Sequence, residues 1–201
     1  SFHPLKTITT GEGGIVSTNN KFLAKKLLLF RSHGIEKIKN NHWKYEVKFP
    51  GFNYRISDIN CALGSSQMRR VKKFIDYRKK IFTQYRENLK FLNDVIKFPN
   101  YNFLNHHSYH LNLINIDFKK IKSSKDKFIK FMLKNNIVCQ YHYVPIFKFS
   151  IYKKDKTNKI IDLKNSQKYQ KNCVSLPIFY GLKSEVVKKI CDKISFFVSK
   201  N

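Results

Sequence analysis

Three observations predict an α/β protein. Apolar residues recur at the helical period in four stretches, and short β-branched or aromatic runs, several bounded by Gly, Pro or Asn, lie between them. Only seven Gly and five Pro interrupt a chain that is 42% apolar, which is far from the composition of a disordered linker. The 201 residues are enough to bury a sizeable core, in one large domain or one and a half small ones.

The elements follow in order. Residues 7 to 18 place two β-branched runs around Gly11, Gly13 and Gly14, which predicts two strands joined by a Gly-rich turn. A helix is predicted from about Asn20, with Leu23, Ala24, Leu27, Leu28 and Arg31 on one stripe and Gly34 as its stop. Residues 35 to 52 read as irregular, apart from a short strand in which Trp43, Tyr45, Val47 and Phe49 alternate ahead of the Pro50-Gly51 turn. Ser57 has the character of an N-cap, and the apolar set from Ile59 to Leu92 marks one long amphipathic stretch bent near residue 70. Beyond it, strands are predicted near Val95–Phe98, Tyr109–Ile116 and Ile137–Tyr141, with a helix from about Ser124 to Asn135. A final helix runs from about Ser184 to Val198 with Val187, Ile190, Cys191, Ile194 and Val198 on one face, giving a two-layer α/β pattern.

The formal charge of +27 is the footprint expected of a nucleic-acid binder. Of the 40 basic residues, however, only six are arginine (Arg31, Arg55, Arg69, Arg70, Arg78, Arg86), and phosphate and base recognition favours the guanidinium fork. The lysine excess accompanies excesses of Asn, Ile, Phe and Tyr, all residues with A/T-rich codons, so genome composition accounts for it and no specific nucleic-acid partner is expected. Cys61, Cys139, Cys173 and Cys191 are scattered, with no C-x-x-C pair and no histidine at ligand spacing, so no metal site is expected. Their pattern fits a reducing cytoplasm, and Cys61 and Cys191 are expected on the apolar sides of helices as small hydrophobes. The longest apolar runs fall far short of the roughly 20 residues of a bilayer span, so no membrane insertion is expected. Ser1 stands where a natural start would have Met, and the opening is read as a truncation point.

Three runs carry the chemistry. The first is Ser-Phe-His-Pro-Leu-Lys-Thr-Ile-Thr-Thr-Gly-Glu-Gly-Gly at residues 1 to 14, a lysine just before a Gly-rich turn. The second is Gly51-Phe52-Asn53-Tyr54-Arg55 through Ala62, Gly64 and Gln67, and a third segment reads Tyr141-His142-Tyr143-Val144-Pro145. Together they resemble the DegT/DnrJ/EryC1/StrS family of sugar aminotransferases, over essentially all of this chain but only the C-terminal half of the family's length.

That resemblance implies the C-terminal part of a fold-type-I aminotransferase. Residues 1–56 would end the large cofactor-binding domain, residues 57–93 would form a long connecting helical segment, and residues 94–201 would be a small α/β domain. It implies pyridoxal 5'-phosphate as cofactor, with Lys6 as the catalytic residue that carries it covalently and moves a proton between substrate and cofactor. Ser1 would bond the cofactor phosphate, and Asn53 would reach the phosphate of the partner subunit's cofactor, which makes the site a property of a homodimer. His3, His33, Arg55, His142 and Tyr143 are candidates for the substrate pocket. His106, His107 and His110 cluster near one another without metal spacing, and Glu12 reads as support for the lysine strand.

The implied reaction moves an amino group from glutamate to the 4-keto carbon of a UDP-linked 4-keto-6-deoxy amino sugar, in surface-glycan biosynthesis of the pseudaminic-acid type. Another nucleotide-sugar 3- or 4-aminotransferase remains an alternative, as do a basic nucleic-acid-binding module and an inert remnant. The family's N-terminal half supplies the carboxylate facing the pyridine nitrogen, the ring stacked on the cofactor and most of the phosphate cradle, so activity of this stretch alone is doubtful.

Overall fold

The computed structural model describes residues 1–41, 43–99, 107–153 and 163–200. His106 lies outside them. The chain divides into two compact units between Lys72 and Lys73.

The first unit opens on a loop from Phe2 to Gly13. Helix α1 (Lys21–Arg31) follows, started by Asn20, whose side chain accepts from the Phe22 and Leu23 amides. Its expected apolar stripe exists but buries no residue. Strands β1 (Ile35–Lys37) and β2 (Tyr45–Val47) pair antiparallel, with Glu36 opposite Glu46. Like charges facing across a ladder repel, and here Lys25 stands 3.0 Å from Glu36, while Lys48 bonds Glu46 and reaches Glu36 at 3.9 Å. The Lys25 ammonium holds the Glu36 carboxyl below its ordinary value. Helix α2 (Asp58–Met68) starts at Ser57, whose Oγ accepts from the Asn60 amide as a cap should.

In the second unit, β3 (Ile96–Lys97), β4 (Asn112–Ile116) and β5 (Cys173–Leu176) form an antiparallel sheet in the order β3-β4-β5. Helices α3 (Val71–Asn88, almost wholly in this unit), α4 (Lys125–Lys134), α5 (Ser150–Lys153), α6 (Lys164–Asn172) and α7 (Ser184–Lys200) complete it. The core gathers Ile81, Tyr85 and Leu89 with Ile114, Ile116, Phe128, Met132, Val174 and Leu176. From α7 come Val187, Ile190, Cys191, Ile194 and Phe197, on the three- and four-residue spacing of one helix face. Each such aliphatic or aromatic side chain contributes about 1.5–3 kcal/mol when fully buried, so this stripe alone accounts for α7's attachment.

Arg78 on α3 is 7% exposed, and its Nη1 donates to the carbonyls of Tyr109, His110 and Ile178 at 3.1–3.2 Å. Desolvation lowers its pKa, yet the guanidinium stays charged and satisfies three carbonyls of the chain on either side of the sheet strands. Burial pushes the Cys139 and Cys191 thiols up to about 12, which suits packing and not reactivity.

Several expectations are corrected. Residues 7 to 18 contain no strand: the β-branched run finds no neighbouring strand, and its backbone bonds Phe2 and the Gln67 side chain instead. The long amphipathic stretch is two helices and not one, with the break at Arg69 and Arg70 where the bend near residue 70 was expected, and a 3-10 turn at Lys90–Leu92 after the second. β4 begins at Asn112 and not Tyr109, because Tyr109 has φ +50° and Arg78 takes its carbonyl and that of His110. Of Ile137–Tyr141 only Gln140 pairs, as an isolated bridge with Ser175. Cys61 is exposed, since α2 buries no residue here. β1, α6 and β5 had no counterpart in the sequence reading. No helix among the described residues is long and apolar enough to cross a membrane.

Candidate functional site

The lysine motif folds as a closed loop. Phe2 N–H donates to the Gly13 carbonyl (2.9 Å) and Thr10 N–H to the Phe2 carbonyl (3.0 Å), which joins the loop's two ends. Lys6 N–H donates to the His3 carbonyl at 2.9 Å, so residues 3 to 6 make a turn about Pro4 and Leu5. Proline's fixed φ favours that turn. Lys6 is exposed, and no carboxylate pairs with it among the described residues.

Beside it, Ser1 Oγ accepts from the His3 amide at 3.5 Å and keeps its own proton to donate. His3 Nδ1 accepts from the Leu5 amide at 3.3 Å, and its Nε2 lies 3.8 Å from Glu12. Ser1, His3, Lys6 and Glu12 therefore share one loop.

The second motif is what holds this loop in place. Gln67 Oε1 accepts from the Thr9 amide at 3.2 Å, across 58 residues of sequence. A Cβ on Gly64 would stand 2.7 Å from the Thr10 methyl, and one on Gly13 would stand 2.4 Å from Thr10 Oγ1 and 3.0 Å from Ile56 Cδ1. Thr10 is buried between them. The glycines mark a close approach of α2 to the loop.

Gly51 serves a different approach. A Cβ there would lie 2.2 Å from the Gly34 nitrogen, and the chain beyond it runs back along the end of α1. His33 N–H donates to the Phe52 carbonyl, Phe52 N–H to the Phe30 carbonyl and Tyr54 N–H to the Arg31 carbonyl, at 2.7–2.9 Å. This backbone pairing sets Ser32 opposite Asn53, with His33 at φ +62° the next residue along, while Arg55 continues the same exposed segment. Phe52 and Tyr54 stack at 4.8 Å between centroids.

His142 and Tyr143 belong to the second unit. His142 Nδ1 hydrogen-bonds Ser175 Oγ on β5, and burial lowers the imidazole pKa. Tyr143 is 70% exposed with its ring edge-on to His142. Next to them, Lys125 Nζ lies 4.2 Å above the Tyr141 ring, and the Tyr141 hydroxyl bonds Asp126. His110 gives its carbonyl to Arg78, His107 stands just before that segment, and burial lowers the His107 imidazole pKa. Among the described residues no three of His, Cys, Asp and Glu converge as a metal site would require.

The structure thus brings Ser1, His3 and Lys6 into one loop, His33 and Asn53 into one backbone pairing, and His142 with Tyr143 into the second unit. Thr9 and Thr10 stood in the first motif, and Gly64 and Gln67 in the second, without a role of their own. The motif's spacing was their signal, since Gly64 and Gln67 are three residues apart on one helix face.

Comparison with known proteins bears on what this arrangement is for. Residues 1–195 match the DegT/DnrJ/EryC1/StrS aminotransferase family. Over 204 residues the chain is 33% identical to a UDP-4-amino-4,6-dideoxy-N-acetyl-beta-L-altrosamine transaminase of Campylobacter jejuni, covering 100% of this chain and 52% of that protein. Over 195 residues it is 31% identical to the GDP-perosamine synthase of Vibrio cholerae, covering 96% of this chain and 50% of that one. Among solved structures, Helicobacter pylori PseC, an aminotransferase involved in the biosynthesis of pseudoaminic acid, aligns with a TM-score of 0.88 at 30% identity, over 100% of this chain and 53% of its own. The chain spans about half the length of the curated relatives it matches, and its fold is that of part of a fold-type-I aminotransferase. A lysine loop fastened to the second motif, and a match running through both units, place this chain in the DegT/DnrJ/EryC1/StrS aminotransferase family.

Proposed function

We propose that this chain is the lysine-bearing part of a pyridoxal-phosphate-dependent sugar-nucleotide aminotransferase. Its reaction takes the amino group of glutamate to the 4-keto carbon of a UDP-linked 4-keto-6-deoxy amino sugar. The observation that carries this is the Lys6 loop, an exposed lysine on a closed turn whose backbone is tied to the second motif. The Campylobacter relative's name supports the substrate; the perosamine synthase supports the alternative of another nucleotide-sugar aminotransferase.

The residues present fit the cofactor. Lys6 offers an amine unpaired with any carboxylate among the described residues, and Ser1 a hydroxyl with a proton to give to a phosphate oxygen. Pyridoxal phosphate, when bound, supplies an aldehyde and an electron-accepting ring. Lys6 would bind it and, once displaced by the donor, carry a proton at its Nζ. Asn53 would reach the partner subunit's cofactor phosphate, and His3, His33, Arg55, His142 and Tyr143 would line the sugar-nucleotide and donor pocket. Residues 1–56 would close the large domain, 57–93 connect, and 94–201 form the small domain, in a cytoplasmic homodimer. A nucleic-acid role is a lesser reading, because lysine and not arginine makes the charge.

The test is borohydride reduction of the gene product carrying this chain, loaded with pyridoxal phosphate, followed by peptide mapping. A pyridoxyl group on Lys6, and loss of transamination in Lys6→Ala, are expected. A label placed on another lysine would overturn the assignment.

A further inference from the structure

The loop that carries Lys6 bonds mostly to itself, and its link to α2 is made through Thr9. The Thr9 hydroxyl donates to the Phe2 carbonyl and accepts from the Gly11 amide, both at 2.9 Å, so this residue couples the start of the loop to its Gly-rich end. The Thr9 amide is then free to face outward, and Gln67 Oε1 receives it. Gly64, one helical turn earlier on α2, leaves the room the Thr10 methyl occupies, which brings the loop within reach of the Gln67 side chain.

We propose that Gln67 is a positioning residue for Lys6, acting as a latch from α2 to the lysine loop through the Thr9 amide, with Gly64 setting the distance; this rests on the reading of Lys6 given above. A lysine that must meet an aldehyde and later return to the same carbon needs its backbone held, since small displacements of a reacting group cost large factors in rate. Two residues, Thr7 and Ile8, separate Lys6 from the latch, short enough for Thr9 to govern the turn's orientation. The Gln67 side chain suits the task because its oxygen is a hydrogen-bond acceptor with the reach to meet the Thr9 amide. Leucine at the same position would fill similar space and leave the half-buried Thr9 amide without a partner. Glutamate would keep an acceptor oxygen at the same reach.

The experiment compares wild type, Gln67→Leu and Gln67→Glu in the same gene product. Two quantities are read: hydrogen exchange at the Thr9 amide without cofactor, and the initial rate of pyridoxyl incorporation at Lys6 under borohydride. In Gln67→Leu, Thr9 exchange should quicken and Lys6 labelling slow, each by about five- to tenfold, as loss of one hydrogen bond allows; Gln67→Glu should restore both toward wild type. Unchanged Thr9 exchange in Gln67→Leu sinks the latch whatever the cofactor does. Faster exchange with undiminished labelling at Lys6 shows a bond that holds the loop without positioning the amine, and also overturns the inference. If wild type itself is not labelled at Lys6, the Lys6 reading fails and this inference falls with it.

Discussion

His142 shows how a side chain that is polar in sequence becomes a stability term in the fold. Burial holds its imidazole below the ordinary value of 6.5, and it bonds Ser175 Oγ on β5. Between the lowered folded value and 6.5, the unfolded chain binds a proton that the folded chain does not, so stability rises with pH through that window. The contribution is complete above about 6.5 and is lost as pH falls toward the folded value. Chemical denaturation should therefore give a higher midpoint at pH 7.5 than at 5.5, and His142→Gln should narrow the difference, leaving the part that His107, also lowered by burial, supplies. A difference untouched by the substitution would remove His142 from the account. The sequence made His142 a candidate through the Tyr-His-Tyr-Val-Pro segment, but its bond to Ser175 joins residues 33 apart and no local pattern announces it. Asn112 is the converse, a fully buried amide with no partner for either end among the described residues, on the core side of β4, where the alternation of a strand calls for an apolar residue.

At the scale of elements, helices with a side-chain cap were legible: Asn20, Ser57 and Ser124 all accept the expected amides, whereas α6 has Leu163 as its cap residue, without a side-chain cap bond, and was missed. A strand exists only if another strand meets it, and the same β-branched chemistry at residues 7–10 made a loop because its partner is a glutamine side chain. β5 is buried along its whole length yet carries only four residues, too few for a period to be read. Gly51 is the element-scale counterpart of a core residue. Its absent side chain permits the 52–54 segment to pair with the end of α1, and a Cβ would strike backbone atoms of His33 and Gly34 at 2.2–2.5 Å. Gly51→Ala should cost about 1–3 kcal/mol by overpacking, with exchange at the Phe52 and Tyr54 amides accelerated. Gly11→Ala, where φ is +79° but nothing lies within 4 Å, should cost less, about 1 kcal/mol. Equal costs would mean that the close approach at Gly51 relaxes and does not explain the glycine.

For the whole molecule, the charge of +27 and the exposed apolar residues are the features that no single element explains. The charge predicts DNA binding without specificity. Affinity should be the same for unrelated sequences and should fall by about a thousandfold between roughly 50 and 200 mM salt, as released counterions are replaced. Tight, sequence-selective binding retained near physiological salt would contradict that and reopen the nucleic-acid reading. The first unit keeps Leu5, Ile15, Phe22, Leu28, Ile59 and Met68 exposed, and α1 and α2 bury nothing, although both have apolar stripes by sequence. Periodicity states which side of a helix can be covered; only the packing of a particular chain states whether it is.

By itself, the sequence determined the family, the lysine loop's composition, the starts of α1, α2, α4 and α7 and the apolar faces of α3 and α7, because caps, periods and motifs are local and survive without a partner. Tertiary structure alone decided that the predicted strands before α1 are a loop, that β5 lies against β4, that Arg78 gathers three carbonyls, and that Gln67 reaches Thr9. Each of those depends on atoms tens of residues apart being brought within about 3 Å, the range in which a hydrogen bond forms, and sequence spacing carries no measure of that distance.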